Sequence, residues 1–278
     1  MKKIIEHIRK KLTSSYTQGE IAALTRIIAT ELLEFKDSVY FLREEVTLTA
    51  EQQQALDRAT EGLAQQMPIQ HILGYEIFCR LKFKVNSNVL IPRPETQELV
   101  EWIVAESKGK KKILDIGTGS GCIAISIASK IDNSEVHAWD ISCNALGIAK
   151  ENSKINGTHV TFAQHDILGN ISCENKFDII VSNPPYIKES EKAQMSANVL
   201  NWEPATALFV PNDDPLLFYR AIAQKATDML HPQGLIFFEI NREHGGEICD
   251  MLAMQGYTDI ELRKDFADND RMIKARKK

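Results

Sequence analysis

Apolar positions in the first quarter of the chain recur at helical spacing. Ile4, Ile5, Ile8 and Leu12 form one stripe, and Ile21, Leu24, Ile27, Ile28 and Leu32 form a second. Thr17-x-x-Glu20 precedes the second stripe as a capping box, and Thr49-x-x-Gln52 repeats that signature before Leu56 and Leu63. The pattern predicts a helical domain over residues 1–73. At residue 74 the period shortens. Residues 74–78, 81–85 and 89–91 are short β-type runs, with Asn86-Ser87-Asn88 as a turn signal. They predict a hairpin linker over residues 74–92. From residue 93 to the C-terminus, strand and helix patterns alternate, which is the mark of an α/β domain. Strands are expected at 111–116, 135–139, 160–163, 177–181 and 234–240, and helices at 96–108 and 122–130. A last pair of strands is expected at 258–263 and 270–275. The basic end, residues 271–278, reads as a solvated strand and tail.

The first α/β strand runs into Gly117-Thr118-Gly119-Ser120-Gly121 and then a helix. Glycines there permit a tight turn and close approach of the backbone to a ligand, and the helix start adds free N–H groups. A dinucleotide site begins in the same way, but two details differ. The glycines alternate, and Asp115 stands two residues before the first of them. A carboxylate there repels a pyrophosphate and suits an ammonium group. S-adenosylmethionine has an amino acid end and no phosphate.

Two more strand ends carry carboxylates. Asp140 follows the second strand, about twenty residues past the glycine loop, where an acidic residue can accept hydrogen bonds from ribose hydroxyls. Asp166 follows the third, in reach of an adenine amino group if the strands are neighbours. Singly, each is more often a turn former or a helix cap. Together they point to one crevice beyond the carboxyl ends of the strands, in a Rossmann-like sheet.

The fourth strand ends in Asn183-Pro184-Pro185-Tyr186. Each proline fixes its own φ and drives the residue before it toward extended conformations. The outcome is a stiff turn that can aim two acceptors, the side-chain oxygen of Asn183 and the backbone carbonyl of Pro184. Two acceptors and a flat ring suit a planar –NH2 group, either an amide or an exocyclic amine.

Composition narrows the choice. The chain has 278 residues, 44% of them hydrophobic, and a net charge of −5. A grip on a phosphate backbone normally needs a basic stripe, so direct nucleic-acid binding is not expected. The five cysteines, Cys79, Cys122, Cys143, Cys173 and Cys249, form no Cys-x-x-Cys pair, and no metal site is expected. There is no signal-peptide core and no run long enough for a membrane span. A soluble, cytoplasmic monomer is the expectation.

With these residues in view, the chain resembles the HemK/PrmC family, the glutamine-N5 methyltransferases of peptide chain release factors, over nearly its whole length. The resemblance rests on Gly74-Tyr75-Glu76-Ile77-Phe78, Leu90-Ile91-Pro92-Arg93-Pro94-Glu95-Thr96, the stretch from Asp115 to Gly121, Asp140, Asn183-Pro184-Pro185-Tyr186 and Glu203-Pro204. It implies a Rossmann-like class I methyltransferase domain with an N-terminal helical bundle and a β-hairpin linker. It also implies S-adenosylmethionine as cofactor and S-adenosylhomocysteine as product. The implied substrate is the glutamine of the Gly-Gly-Gln motif in class 1 release factors. Cofactor contacts carry over to Gly117, Thr118, Gly119, Ser120, Gly121, Asp140 and Asn183. Substrate contacts carry over to Asn183, Pro184, Pro185 and Tyr186, with Arg93 and Glu95 added from the segment specific to this group.

Three positions depart from the family pattern. Gln97 stands where an acidic residue is common. Leu168 stands where an aromatic is common, which turns adenine stacking into apolar packing. The stretch after Glu239 (residues 240–248) departs from the usual Gly- and Gln-containing pattern. Two other methyl acceptors remain open from the residues alone: a glutamine on a ribosomal protein and the N6 amine of adenine, although extracting a base from nucleic acid would call for a grip not evident here. A non-catalytic cofactor-binding module is the reading from outside enzymology.

Overall fold

The computed structural model describes every residue except 110, 172 and 174. The chain divides into two compact units, Met1–Gly74 with Ser196–Trp202, and Tyr75–Met195 with Glu203–Lys278.

The first unit is helical. Both capping boxes form: Thr17 accepts from the Glu20 amide while Glu20 reaches back to the Thr17 amide, and Thr49 and Gln52 do the same. Each cap is worth about 1 kcal/mol. The apolar stripes meet in a core of Ile4, Ile8, Leu12, Ile28, Leu33, Leu56 and Leu63. Trp202 donates its indole N–H to the Gln65 carbonyl at 3.3 Å, a tertiary pairing across 137 residues that no periodicity foreshadows.

Among the described residues, the second unit carries eleven strands: β1 (Tyr75–Phe78), β2 (Leu81–Lys84), β3 (Lys112–Ile116), β4 (Glu135–Asp140), β5 (Val160–Gln164), β6 (Phe177–Ser182), β7 (Ile187–Lys188), β8 (Phe209–Val210), β9 (Leu230–Glu239), β10 (Thr258–Lys264) and β11 (Asp270–Arg276). Seven of them form one sheet in the order β10-β11-β9-β6-β3-β4-β5. The five strands from β9 to β5 are parallel, and β11 and β10 add on antiparallel. Helices lie against the sheet, and two apolar clusters fill its faces. Ile113, Ile179, Val181 and Phe237 belong to one; Leu114, Ile180, Ile236 and Phe238 belong to the other. The alternation follows from the two-residue strand period. The chain moves outward from β3 to β5, then returns to place β6 on the other side of β3. That reversal opens a crevice at the carboxyl ends of β3 and β6, where such sheets bind ligands.

Two expectations need correction. Residues 89–91 form no strand. The hairpin is β1 paired with β2, and it turns at Cys79 and Arg80, both at positive φ (50° and 65°). Val85, Val89 and Ile91 are apolar because they pack on Ala145 and Ile148, so burial without a ladder mimicked a strand signal. The C-terminal strand is likewise not solvated. Strand β11 lies inside the sheet between β9 and β10, with Ile273 and Ala275 fully buried. Its lysine fits there because the Lys274 ammonium is held by Glu106 at 2.7 Å and Glu261 at 2.9 Å.

Candidate active site

The glycine loop is built by its own backbone. Gly117, Gly119 and Gly121 all take positive φ. The Gly117 and Thr118 amides donate to the Trp139 carbonyl at 2.8 and 2.9 Å, which ties the loop to β4. Thr118 donates its hydroxyl to Asp115 Oδ2 at 2.6 Å. A Cβ on Gly117 or Gly119 would meet nothing within 4 Å, whereas one on Gly121 would lie 2.7 Å from Ile125 Cδ1. The first two glycines therefore leave space over the loop, and the third lets the following helix pack closely.

Asp140 closes the loop from the next strand end. Its Oδ2 accepts from the Gly119 amide at 2.8 Å and its Oδ1 from the Ser142 amide at 2.9 Å. Asn152, unremarked in the sequence, braces the other side. Its Nδ2 donates to the carbonyls of Ser120 (2.9 Å) and Lys84 (3.0 Å), and its Oδ1 accepts from the Lys84 amide at 2.7 Å. The hairpin strand β2 and the glycine loop thus share one fully buried amide side chain.

These groups border a cavity of about 390 Å³. Gly117, Thr118, Gly119 and Ser120 line it, as do Asp140, Asp166 and Leu168, and the far wall is Asn183, Pro184 and Pro185. Arg93 also reaches the wall. The structure therefore brings together residues from four strand ends that are separated by up to about seventy positions in sequence. Asp115, Gly121, Glu95 and Tyr186 are not on the wall. Asp115 lies fully buried behind the loop, and Tyr186 packs into the core cluster beneath β6 and β9. Asp166 turns its Oδ1 to the Leu168 amide at 2.9 Å, which sets the wall at the end of β5. Gln97, the first departure, takes the Cys79 amide at 3.3 Å and so serves the hairpin turn.

Sequence reasoning missed several wall residues. Asn88, Val89 and Leu90 contribute, as do Ile141, Phe209 and Phe218. Ile141 is 56% exposed and Leu168 44% exposed, so two apolar side chains stand open at the cavity. It also assigned no role to two buried carboxyls. Glu203 accepts from the Ile91 amide at 3.2 Å and from Arg93 Nη2 at 2.6 Å. Glu239, the last residue of β9, accepts from the Thr96 hydroxyl at 2.6 Å, and the Asn183 side chain beside it favours its charged form. The rule that picked out strand-end carboxylates at Asp115 and Asp140 applies to Glu239 equally well.

The electrostatics favour a cation. Burial pushes the Asp115 carboxyl up to about 7, against the pull of the Thr118 hydroxyl and the Ala124 amide, and the nearby Asp140 raises it further. Burial also raises Asp140. Among the described residues, Asp115 Oδ1 has no hydrogen-bond partner. Buried carboxyls that lack a counter-charge are stabilised in their ionised form by a positive ligand and by nothing anionic. The residues present thus fit a cofactor with an ammonium and a sulfonium charge, a ribose and a flat base.

The comparisons agree with this geometry. Residues 3–74 match the family model described as the PrmC N-terminal domain, and residues 75–208 match that of the methyltransferase small domain. A release factor glutamine methyltransferase from Bacteroides thetaiotaomicron is 43% identical over 276 residues, which is 99% of this chain and 99% of that protein. One from Flavobacterium psychrophilum is 44% identical over 95% of this chain and 94% of its own length. Among solved structures, a methyltransferase from Pyrococcus furiosus superposes with a TM-score of 0.53 at 18% identity, covering 82% of this chain and 99% of that one. That likeness shows a class I methyltransferase fold.

Proposed function

The chain belongs to the release factor glutamine methyltransferase family, and from that premise we propose that it methylates the side-chain amide nitrogen of the Gly-Gly-Gln glutamine in class 1 release factors. S-adenosylmethionine, when bound, supplies an electrophilic methyl group. The observation that carries the reading is that Asn183, Pro184 and Pro185 share one cavity wall with the glycine loop and Asp140. An amine-orienting turn and a cofactor cradle then serve the same space.

The chain's own residues do the remaining work. Gly117 and Gly119 leave room over the loop, Asp140 offers carboxylate lone pairs to a ribose, and Ile141 and Leu168 offer apolar surface to a base. An amide nitrogen is a poor nucleophile because its lone pair is delocalised, but it carries two N–H donors. Asn183 Oδ1 and the Pro184 carbonyl each accept one of them. This orients the nitrogen and favours the positive charge that builds on it. Tyr186, half-buried behind the turn, keeps the two acceptors in place by packing. Arg93, held by Glu203, presents a fixed positive edge to the incoming loop. The helical domain, residues 1–73, selects the protein substrate, residues 74–92 link it to the catalytic domain, and the enzyme works as a cytoplasmic monomer. Among the described residues, no helix is long and apolar enough to cross a membrane.

The test is incubation of the purified protein with labelled S-adenosylmethionine and a recombinant release factor, followed by peptide mass spectrometry. One added methyl on the Gly-Gly-Gln glutamine is the expected result. Label on a ribosomal protein or on nucleic acid instead would overturn the substrate.

A further inference from the structure

Asn183 has a side chain with two chemically opposite ends, and the proposed chemistry needs only one of them. Its oxygen must face the cavity, because its NH2 end would meet the N–H donors of a substrate amide and repel them. Something must therefore hold the NH2 end. The proline side chains offer no acceptor for it and set only the backbone.

The sheet register brings a candidate alongside. Strands β6 and β9 are parallel neighbours, with Ser182 opposite Phe238. The next residues along the two strands are Asn183 and Glu239. The Glu239 side chain is buried, and the neighbouring Asn183 side chain helps hold its carboxyl in the charged form. An ionised carboxylate is an acceptor only, so it can take nothing from Asn183 but an N–H. Its other tie is the Thr96 hydroxyl, which donates to Oε2 at 2.6 Å from the helix Pro94–Glu106. Thr96 is itself buried.

We infer that Glu239 is a positioning residue, one that holds the NH2 end of the Asn183 amide and so turns its oxygen toward the substrate nitrogen. The inference deepens the proposed function and rests on it for the identity of the acceptor. Glu239 touches neither cofactor nor substrate; it acts through Asn183.

A consequence is that the site senses pH. Burial pushes the Glu239 carboxyl up to about 7, opposed by the Thr96 hydroxyl, the Arg271 guanidinium and the Asn183 amide, with Glu95 adding a further upward push. The other titratable groups near it are Tyr186, Tyr219 and Cys122, all of which burial holds protonated through neutral pH. Arg271 is committed to Asp265 at 3.1 Å and to the Ile240 carbonyl at 3.3 Å, so it steadies the charge from a distance. When Glu239 takes a proton it gains a donor, and the Asn183 amide loses the preference for its active orientation.

The experiment compares wild-type protein with E239Q, and uses N183A to assign signals. In protein labelled with 15N-asparagine, the side-chain NH2 resonances of Asn183 are those missing from N183A. They are expected to titrate near neutral pH in the wild type and to lose that titration in E239Q. In methyl transfer, E239Q is expected to lower kcat about 10- to 100-fold, the usual cost of misaimed groups. Its affinity for S-adenosylmethionine should stay within about twofold, and the acid limb of the kcat profile should vanish. Asn183 resonances indifferent to pH in the wild type, or an E239Q enzyme with wild-type kcat and pH profile, would overturn the inference. The resonance titration needs no substrate. A wild-type protein that titrates as expected but methylates no release factor would therefore sink the proposed substrate and leave the Asn183–Glu239 coupling standing.

Discussion

Arg93 Nη2 donates to Glu203 Oε1 at 2.6 Å, joining two residues 110 positions apart. The pair is lopsided: the Arg93 side chain is 34% exposed and that of Glu203 only 1%. Removing the arginine strands a buried carboxylate, while removing the glutamate leaves a cation that can turn to water. R93A should therefore destabilise the fold by about 3–5 kcal/mol. E203A should cost about 2 kcal/mol, near the value of a charged hydrogen bond. Urea unfolding of both variants checks the order, and a larger loss in E203A would contradict the lopsided pair.

N183A should abolish methyl transfer while leaving S-adenosylmethionine binding mostly intact. The reason is that Asn183 supplies one of the two acceptors that orient the nucleophile, whereas the cradle is built chiefly by the loop from Gly117 to Gly121. Single-turnover transfer and equilibrium binding separate the two effects. Near-normal turnover would sink the mechanism.

The two kinds of glycine in the loop should behave differently. At Gly121, with φ +82, an added Cβ would sit 2.7 Å from Ile125 Cδ1 and 3.2 Å from Ala149 Cβ. G121A should destabilise the folded protein by more than the ~1–2 kcal/mol cost of the left-handed conformation alone. At Gly119, with φ +54, the methyl meets nothing within 4 Å. G119A should fold with only that backbone cost, and weaken S-adenosylmethionine binding about tenfold, or ~1.4 kcal/mol, by occupying the space over the loop. Thermal melts and titration calorimetry on both variants would reveal whether the losses separate in this way.

Asp115 makes stability depend on pH. Its carboxyl titrates at about 7 in the folded chain against an ordinary value of 3.8. Between those values the folded chain holds a proton that the unfolded chain has released, so stability falls as pH rises through this window and levels off above it. D115N removes that share and keeps an oxygen for the Thr118 hydroxyl. In the absence of cofactor, D115N should gain in Tm over the wild type between pH 4 and 8, with most of the gain reached by about pH 7. A Tm difference that is the same at both ends would remove Asp115 from the account. Glu239 has the same sign, so the wild-type slope should shrink in D115N without vanishing.

Much of this was legible before any coordinates. The helical stripes, the capping boxes and the strand β6 with its Asn-Pro-Pro-Tyr turn are written in local pattern, because propensity, capping and proline stiffness act over a few residues. The same is true of Asp140, whose value lies in following a strand. Glu203 carries the resemblance without an assigned role, and Glu239 ends a strand as Asp140 does, but nothing near either in sequence shows which partner its buried carboxyl meets. Their partners, Arg93 and Thr96, stand more than a hundred residues away. Residues 89–91 were misread for a related reason. Burial against one helix and pairing in a sheet select the same apolar side chains, and only the hydrogen bonds tell them apart.

The sequence by itself determined the class of chemistry here: a glycine loop with an acidic entry, a carboxylate after the next strand, and a stiff turn able to aim two acceptors at an –NH2 group. Only the tertiary structure decided which way Asn183 faces. The amide is symmetrical in outline, and its direction is set by a neighbour on β9, which the chain reaches after the crossover that places β9 beside β6. Strand order and register are collective outcomes of packing the whole sheet, so a contact that depends on them has no local signature to read.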